Sequence, residues 1–286
     1  MNGQNTHRAP LRDAGETAGW SRRSPGGDLT PPFKADPNPD GQRNLHAIGL
    51  NLRPLAAGEG VCHDLYRTGD VTVLGQAEAG LLREDLGIRY FLDLRGESEQ
   101  HRHGRAESLA RAGISILHWP VMARDASAIA GRRPTSEAYA RYYFSIFKEM
   151  TATLPQLFAA LAGVKGAPLL FGCHAGKDRT SLVAMLLLHL CGAERPVIAR
   201  DHERSGGYLL PHLYHFRDKW ERKGETPEEY AVRLDPRGEA MLQTLDKIDA
   251  DLGGIDACLR RCGVHGDHLQ AINHHYAFST LPTGST

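Results

Sequence analysis

Pro168-Leu169-Leu170-Phe171-Gly172-Cys173-His174-Ala175-Gly176-Lys177-Asp178-Arg179-Thr180-Ser181, continued by Leu182-Val183-Ala184-Met185-Leu186-Leu187-Leu188, is the stretch from which the fold is read. Its opening is a short apolar run of the kind that forms a buried strand. The run from Leu182 is apolar on nearly every face, as a helix in the middle of a core would be. Between them lies a tight loop of small and charged residues that begins with Cys173 and ends with Arg179, with five residues intervening.

That spacing has a chemical reading. A thiol at the end of a strand, facing the backbone N–H groups that open a helix, sits in positive potential from those amides, from the helix dipole and from the guanidinium. Such a setting favours the thiolate at neutral pH. The amides of His174, Ala175, Gly176 and Lys177, together with Arg179, can hold phosphate oxygens. Arginine suits the task because its planar fork meets two oxygens at once. Thr180 stands where a hydroxyl can donate to the sulfur, helping it as nucleophile and as leaving group. A nucleotide-binding Walker loop is excluded. That motif needs four residues between its glycines and Ser or Thr after the Lys, whereas three separate Gly172 from Gly176 and Asp178 follows Lys177.

Cys173-His174-Ala175-Gly176-Lys177-Asp178-Arg179-Thr180 resembles the phosphate loop of cysteine-dependent protein tyrosine phosphatases. Lys177 and Asp178 are similar to the bacterial branch that also acts on serine/threonine phosphates and phosphoinositides. The resemblance spans roughly residues 46 to 276. It implies an α/β fold, a central, mostly parallel twisted sheet flanked by helices, and a metal-independent phosphomonoester hydrolase without cofactor. Cys173 would be the nucleophile, Arg179 the phosphate clamp and Thr180 the partner of the sulfur. The better-known relatives place a Trp-Pro-Asp general acid where this chain reads Trp119-Pro120-Val121. Asp178 is therefore the expected acid, with Asp125 or Asp93 as alternatives. Asp93 and Arg95 follow a predicted strand, at the end where open α/β sheets collect ligands. Arg53, in an Asn51-x-Arg53 segment that the family shares, is a further possible anion contact. Three more departures stand out: Gly172 where His usually precedes the Cys, Ser181 where Gly usually follows the Thr, and His202 where Tyr is usual. Gly172, Ser181 and the missing Asp at position 121 leave open a dedicated phosphatase for one small metabolite, such as a sugar or nucleotide phosphate; a phosphate-binding module without catalysis is disfavoured because Cys173, Arg179 and the Thr180 hydroxyl are all retained.

The remainder of the 286 residues sets bounds. Lys+Arg and Asp+Glu balance at 34 each, so no global field favours nucleic acid or membrane, and attraction for phosphate must be local. Expected partners are phosphorylated proteins, lipids or small molecules. The five cysteines have neither disulfide-framework nor metal-ligand spacing and read as reduced thiols. With no apolar run long enough to span a membrane or to serve as a signal peptide, a cytoplasmic location is the expectation.

Residues 1 to 45, rich in Pro, Gly, Arg and Ser, read as a disordered tail, 46–276 as the phosphatase domain and 277–286 as a flexible end. Within the domain, strands are expected at Ile48–Arg53, Leu65–Thr68, Ile88–Leu92 and Ile114–Pro120. Helices are expected at Leu74–Leu86, Ser136–Met150 and Leu154–Leu161, and after Thr226, whose Thr-Pro-Glu-Glu is a capping box. The aromatic stripe of Tyr139, Tyr142, Tyr143 and Phe147 reads as core. Residues 122–135 read as a lid. Lys177 is expected either to face outward toward a second anionic group or to be a solvated loop residue.

Overall fold

The structure, a computed structural model, describes residues 45, 48–57, 60–123, 126–131 and 133–280. The expected tail before Leu45, the candidate acid Asp125 and residues 281–286 lie outside them.

Five strands form one sheet in the order β1 (Arg53–Ala57), β2 (Gly60–Thr68), β5 (Leu169–Gly172), β3 (Tyr90–Asp93), β4 (Ser115–His118). The β2–β5, β5–β3 and β3–β4 pairs are parallel and β1–β2 is antiparallel, so the sheet is mostly parallel, as expected. The first strand starts at Arg53, later than expected, because Ile48 to Asn51 form turns in which Asn51 takes a positive φ of 50°. A further strand, β6 (Phe278–Thr280), pairs antiparallel with Gly60–Cys62 of β2, so the expectation of a loose chain from Ala277 is corrected for these three residues.

Strand side chains alternate between faces, and the two faces carry separate cores. Leu65, Leu92, Leu169 and Phe171 point into the larger one, while Phe91 and Leu170 point into the smaller. Helices α4 (Ser136–Met150), α5 (Leu154–Gly163), α6 (Asp178–Leu190), α11 (Gly238–Leu252) and α13 (Gly266–Tyr276) supply the larger core; α1 (Gln76–Glu84) and α3 (Glu107–Arg111) cover the other face. Helix α6 has all residues from Thr180 to Leu188 buried, which is why its sequence has no polar stripe. Each fully buried Leu or Phe of this kind contributes roughly 1.5–3 kcal/mol. Tyr142, Tyr143 and Phe147 are core residues, as their spacing predicts. The Thr226 capping box is present, with Thr226 Oγ1 accepting from Glu229 N at 3.2 Å and Glu229 Oε2 accepting from Thr226 N at 2.9 Å.

A third, satellite core was not foreseen. Leu50, Leu209, Leu213, Phe216, Trp220, Tyr230 and Leu234 gather under α8 (Ser205–Leu209), a 3-10 segment (Leu210–Phe216), α9 (Arg217–Lys223) and α10 (Pro227–Leu234).

The ladder brings three strand ends together: Thr68 is in register with Gly172 and Gly172 with Asp93. Backbone lies against backbone here. A Cβ on Gly172 would sit 2.5 Å from the Thr68 carbonyl oxygen, and one on Gly176, whose φ is +67°, would sit 2.5 Å from the same atom. Glycine before the nucleophile is thus demanded by packing in this chain. Among the described residues, no helix is long and apolar enough to cross a membrane.

Candidate active site

Cys173 follows the last residue of β5 and is 3% exposed. Its backbone N–H donates to Thr180 Oγ1 at 3.0 Å, and that hydroxyl donates in turn to Cys173 Sγ at 3.2 Å. The loop is thereby closed on itself, strand end to first helical turn. Asp178, Arg179 and Thr180 occupy that turn, whose N–H groups have no intrahelical acceptors and carry the positive end of the dipole.

Arg179 lies within electrostatic reach of Cys173. Its two terminal nitrogens donate to Glu99 at 2.5 and 2.6 Å, a forked pair that fixes the guanidinium plane. Nη1 also reaches the Val121 and Leu94 carbonyl oxygens at 3.4 and 3.5 Å, so of the five donors of an arginine the Nε–H and the second Nη2–H remain for an anion. Burial works to lower the Arg179 pKa, but Cys173 and Glu99 outweigh it and hold the guanidinium firmly charged. Burial likewise works to raise the Glu99 carboxyl, and Arg179 with the Gly96 amide pulls it down to about 2. Glu99 sits in the first turn of α2 (Glu97–His103) and closes that turn by accepting from Gly96 N at 3.1 Å.

Asp178 accepts from Tyr143 Oη at 2.7 Å, and its Oδ1 lies 3.4 Å from Lys177 Nζ. Burial alone would raise this carboxyl; the Lys177 ammonium and the Tyr143 hydroxyl more than cancel that, so Asp178 is held below the ordinary carboxylate range. Lys177 itself is 4% exposed, donates to the Arg233 carbonyl oxygen and lies 5.2 Å from the Tyr139 ring centre. It neither faces outward nor floats in solvent, and both expectations for it are corrected: its charge is turned inward onto Asp178. Arg233, paired with Glu225 at 2.6 Å, also donates to the carbonyls of Ile129 and Gly131, which ties the described part of the expected lid to α10.

Three predicted anion or acid residues are committed elsewhere. Asp93 accepts from Arg95 Nε at 2.9 Å, Arg95 Nη2 at 2.8 Å and Gln100 Nε2 at 3.1 Å, so Asp93 and Arg95 neutralise each other under the loop that precedes α2. Arg53 donates to Asp201 Oδ1 at 2.8 Å and to the Asp201 carbonyl at 2.7 Å, at 2% exposure. Asp201, in α7 (Arg195–Glu203), also takes Arg67, the register partner of Arg53. Arg67 Nη2 and Asn51 Nδ2 both donate to the Gly176 carbonyl, at 2.6 and 2.7 Å, and so hold the phosphate loop by its backbone. The Ser181 and His202 departures meet each other: His202 Nδ1 lies 2.9 Å from Ser181 Oγ, which accepts from Arg67 Nη2 at 2.9 Å. Burial pushes His202 down to about 3, so it is a neutral packing residue in the interior.

Sequence reasoning missed two charged groups at the site. Glu99 is one; the glutamate at the third position of a helix-opening turn was the available signal. Lys219 is the other. It is carried by α9 on the satellite core and senses Cys173, Arg179 and Glu99, and burial pulls its ammonium down to about 8. Among the described residues it makes no ion pair; its Nζ lies 5.3 Å from the Phe216 ring centre. His174, the residue after the nucleophile, is buried, stacked on His103 at 4.1 Å, and pushed down to about 4 by burial.

The site therefore gathers a buried sulfur, a fixed guanidinium, a helix N-terminus and a second ammonium, an arrangement suited to a phosphoryl group. Comparison with known proteins points the same way. The chain is 24% identical over 239 residues to the triple specificity protein phosphatase PtpB of Mycobacterium tuberculosis (strain ATCC 25618 / H37Rv), covering 70% of this chain and 86% of that one. It is 28% identical over 147 residues to a tyrosine-protein phosphatase of Nostoc commune, covering 50% and 48%. The pattern of the tyrosine phosphatase family matches residues 52–278, and the chain belongs to that family as a phosphatase.

Proposed function

We propose that the protein hydrolyses phosphomonoesters through a cysteinyl-phosphate intermediate on Cys173, acting on phosphotyrosine, phosphoserine and phosphothreonine or on phosphoinositides. The observation that carries this reading is the Thr180 hydroxyl directed at the Cys173 sulfur at 3.2 Å, beside Arg179. In the first step the Cys173 thiolate attacks phosphorus in line and the bond to the leaving oxygen breaks. Arg179 and the amides of residues 174–177 take the charge on the three non-bridging oxygens.

Asp178 carries the proton to the leaving oxygen. Its carboxyl is ionised in the free enzyme, and the negative charge of a bound phosphoryl group raises it enough to be protonated. In the second step Asp178, ionised again, takes a proton from water. The water oxygen bonds to phosphorus, the S–P bond breaks, and the sulfur leaves as a thiolate stabilised by Thr180. Lys219 adds a second positive charge at the site, which favours substrates with negative charge beyond the reacting phosphate. The name of the mycobacterial relative, a triple specificity phosphatase, supports breadth of the same kind.

A panel of phosphotyrosine, phosphoserine and phosphothreonine peptides, phosphoinositide vesicles, sugar phosphates and nucleotide monophosphates, assayed with wild type and Cys173→Ser, tests the reading. Turnover of peptides or phosphoinositides, lost in the variant, is expected. Turnover confined to one sugar or nucleotide phosphate would replace it by the dedicated metabolite phosphatase, and activity that survives Cys173→Ser would overturn it.

A further inference from the structure

Beside the phosphate loop lies a cluster that the proposed chemistry does not use. Asp70 Oδ2 has His215 Nε2 at 3.2 Å on one side and His174 Nδ1 at 3.4 Å on the other. One ligand atom from each of the three residues falls within 4.8 Å of the others. Asp70 and His174 are buried, with side chains 3% and 4% exposed, and the partly exposed His215 closes the group from the 3-10 segment Leu210–Phe216.

Hydrogen bonding accounts for only part of this cluster, since His215 Nε2 and Asp70 Oδ2 are in hydrogen-bond geometry and His174 is not. His174 is an imidazole with neither ring nitrogen hydrogen-bonded, although Nδ1 is next to a carboxylate. At 3.4 Å, Nδ1 and the Asp70 oxygen do not meet hydrogen-bond geometry. A buried imidazole left in that state forgoes hydrogen bonds that its burial ought to require. The spacings point to what is absent from that picture. Two ligand atoms each about 2.0–2.1 Å from a tetrahedral zinc ion are about 3.3–3.4 Å apart, and each points at the ion, not at its fellow ligand. The Asp70–His174 and Asp70–His215 separations match that edge, whereas charge-assisted N–H···O⁻ bonds run about 2.7–2.9 Å. The carboxylate is also held as metal ligands are: Asp70 Oδ1 accepts from Thr72 N at 3.1 Å and Thr72 Oγ1 at 2.7 Å, and faces Arg95 Nη1 at 3.7 Å.

We infer that Asp70, His174 and His215 form a binding site for a divalent transition-metal ion of the zinc class, with a fourth position open to water. Two imidazoles and one carboxylate select zinc or cobalt over magnesium or calcium, which prefer all-oxygen shells. The ion is structural. It clamps the 3-10 segment Leu210–Phe216, and with it the helix that carries Lys219, to the residue that follows the nucleophile. The positive neighbours, Lys219 and Arg95, are offset by the Asp70 charge and by the Asp93 partner of Arg95.

The test is a titration of the full-length, untagged, chelator-treated protein with Co²⁺ and with Zn²⁺, followed by visible absorption and thermal denaturation. Wild type is expected to bind one equivalent of Co²⁺ with the intense d–d bands of a tetrahedral site and to melt at a higher temperature with Zn²⁺. His215→Ala, and independently His215→Asn, should weaken binding roughly tenfold or more and abolish the thermal shift. Cys173→Ser should bind as wild type does. Absence of binding in wild type, binding unaffected by both His215 variants, or binding lost in Cys173→Ser with a thiolate-to-cobalt charge-transfer band in wild type would each overturn the inference, the last by placing the metal on the nucleophile.

Discussion

Two sets of buried charges surround the Cys173 loop, and they differ in what they face. In the first, Arg53 and Arg67 converge on Asp201, while Gly176 O, Ser181 and Ser205 take further donors from the pair. In the second, Arg179 spends two donors on Glu99 and keeps others, and Lys219 has no ion-pair partner among the described residues. The first set is anchored and holds the loop by its backbone. The second lies beside the nucleophile and, in the proposed chemistry, is the one that meets the anion. The same residue type serves as scaffold in one place and, in the proposed chemistry, as reagent in the other. What separates them is their surroundings: Arg53 and Arg67, whose Nε–H groups are buried without a partner, face Asp201, the Gly176 carbonyl and two serines, whereas Arg179 lies beside the Cys173 sulfur.

Variants that strike each set separately can break or sharpen this contrast. The largest effect belongs to the sulfur that both sets serve: Cys173→Ser should lower kcat by about ten-thousandfold or more in steady-state assays while leaving the unfolding midpoint nearly unchanged. Asp201→Asn strikes the scaffold. Removing one carboxylate from beneath two buried guanidiniums should cost about 3–5 kcal/mol in urea denaturation, so activity falls with the folded fraction. Should Asp201→Asn prove stable and inactive, the scaffold reading of Arg53 and Arg67 is wrong.

Glu99→Gln strikes the second set. It frees the Arg179 plane, and kcat/KM should fall roughly tenfold, about 1.4 kcal/mol, with a small loss of stability at neutral pH. The pH dependence has a definite sign. Glu99 is held at about 2 in the folded state against an ordinary 4.5, so the stability it contributes is fully present above about pH 4.5 and is lost as pH falls toward 2. Denaturation curves of wild type and Glu99→Gln should therefore differ by a constant amount above that range and converge below it.

Lys219→Met should weaken sulfate binding about three- to tenfold at pH 7, or about 0.7–1.4 kcal/mol. Because burial pulls this ammonium down to about 8, the wild-type advantage should fade as pH rises through that value, and sulfate keeps a constant charge throughout the range. An advantage that persists to pH 10 would contradict the lowered pKa, and no advantage at pH 7 would remove Lys219 from the site. The smallest effect is expected from Ser181→Gly, which deletes one buried hydroxyl and should cost about 1 kcal/mol of stability with little change in kcat.

The sequence made the frame legible where local signals and tertiary need agree. The run Leu169–Phe171 had to be a central strand, α6 had to be buried, and Thr226 had to open a helix, because apolar periodicity and capping chemistry act over a few residues. The loop from Cys173 to Thr180 was legible for the same reason: its chemistry is contiguous. Glu99, Lys219 and Asp70 were not, since each is an ordinary surface residue type until the fold brings it across from another element. Arg53, Arg95 and Asp93 were overread for a related reason. Strand-end position placed them near the ligand face, but whether a guanidinium is free or already paired is decided by a partner two residues away, as for Asp93 and Arg95, or 148 residues away, as for Arg53 and Asp201. Gly172 gives the converse lesson. Read as a departure that hinted at a different substrate, it is fixed by the Thr68 carbonyl 2.5 Å from where its Cβ would be.

The most direct test of the central claim is to mix the enzyme with a phosphotyrosine peptide, quench with acid on the millisecond scale, and examine the peptide containing residue 173 by mass spectrometry. A phosphoryl group on Cys173, more abundant in Asp178→Asn because the hydrolytic step is slowed, is the predicted result. Rapid turnover with no phosphoryl group on Cys173 at any time would contradict the account.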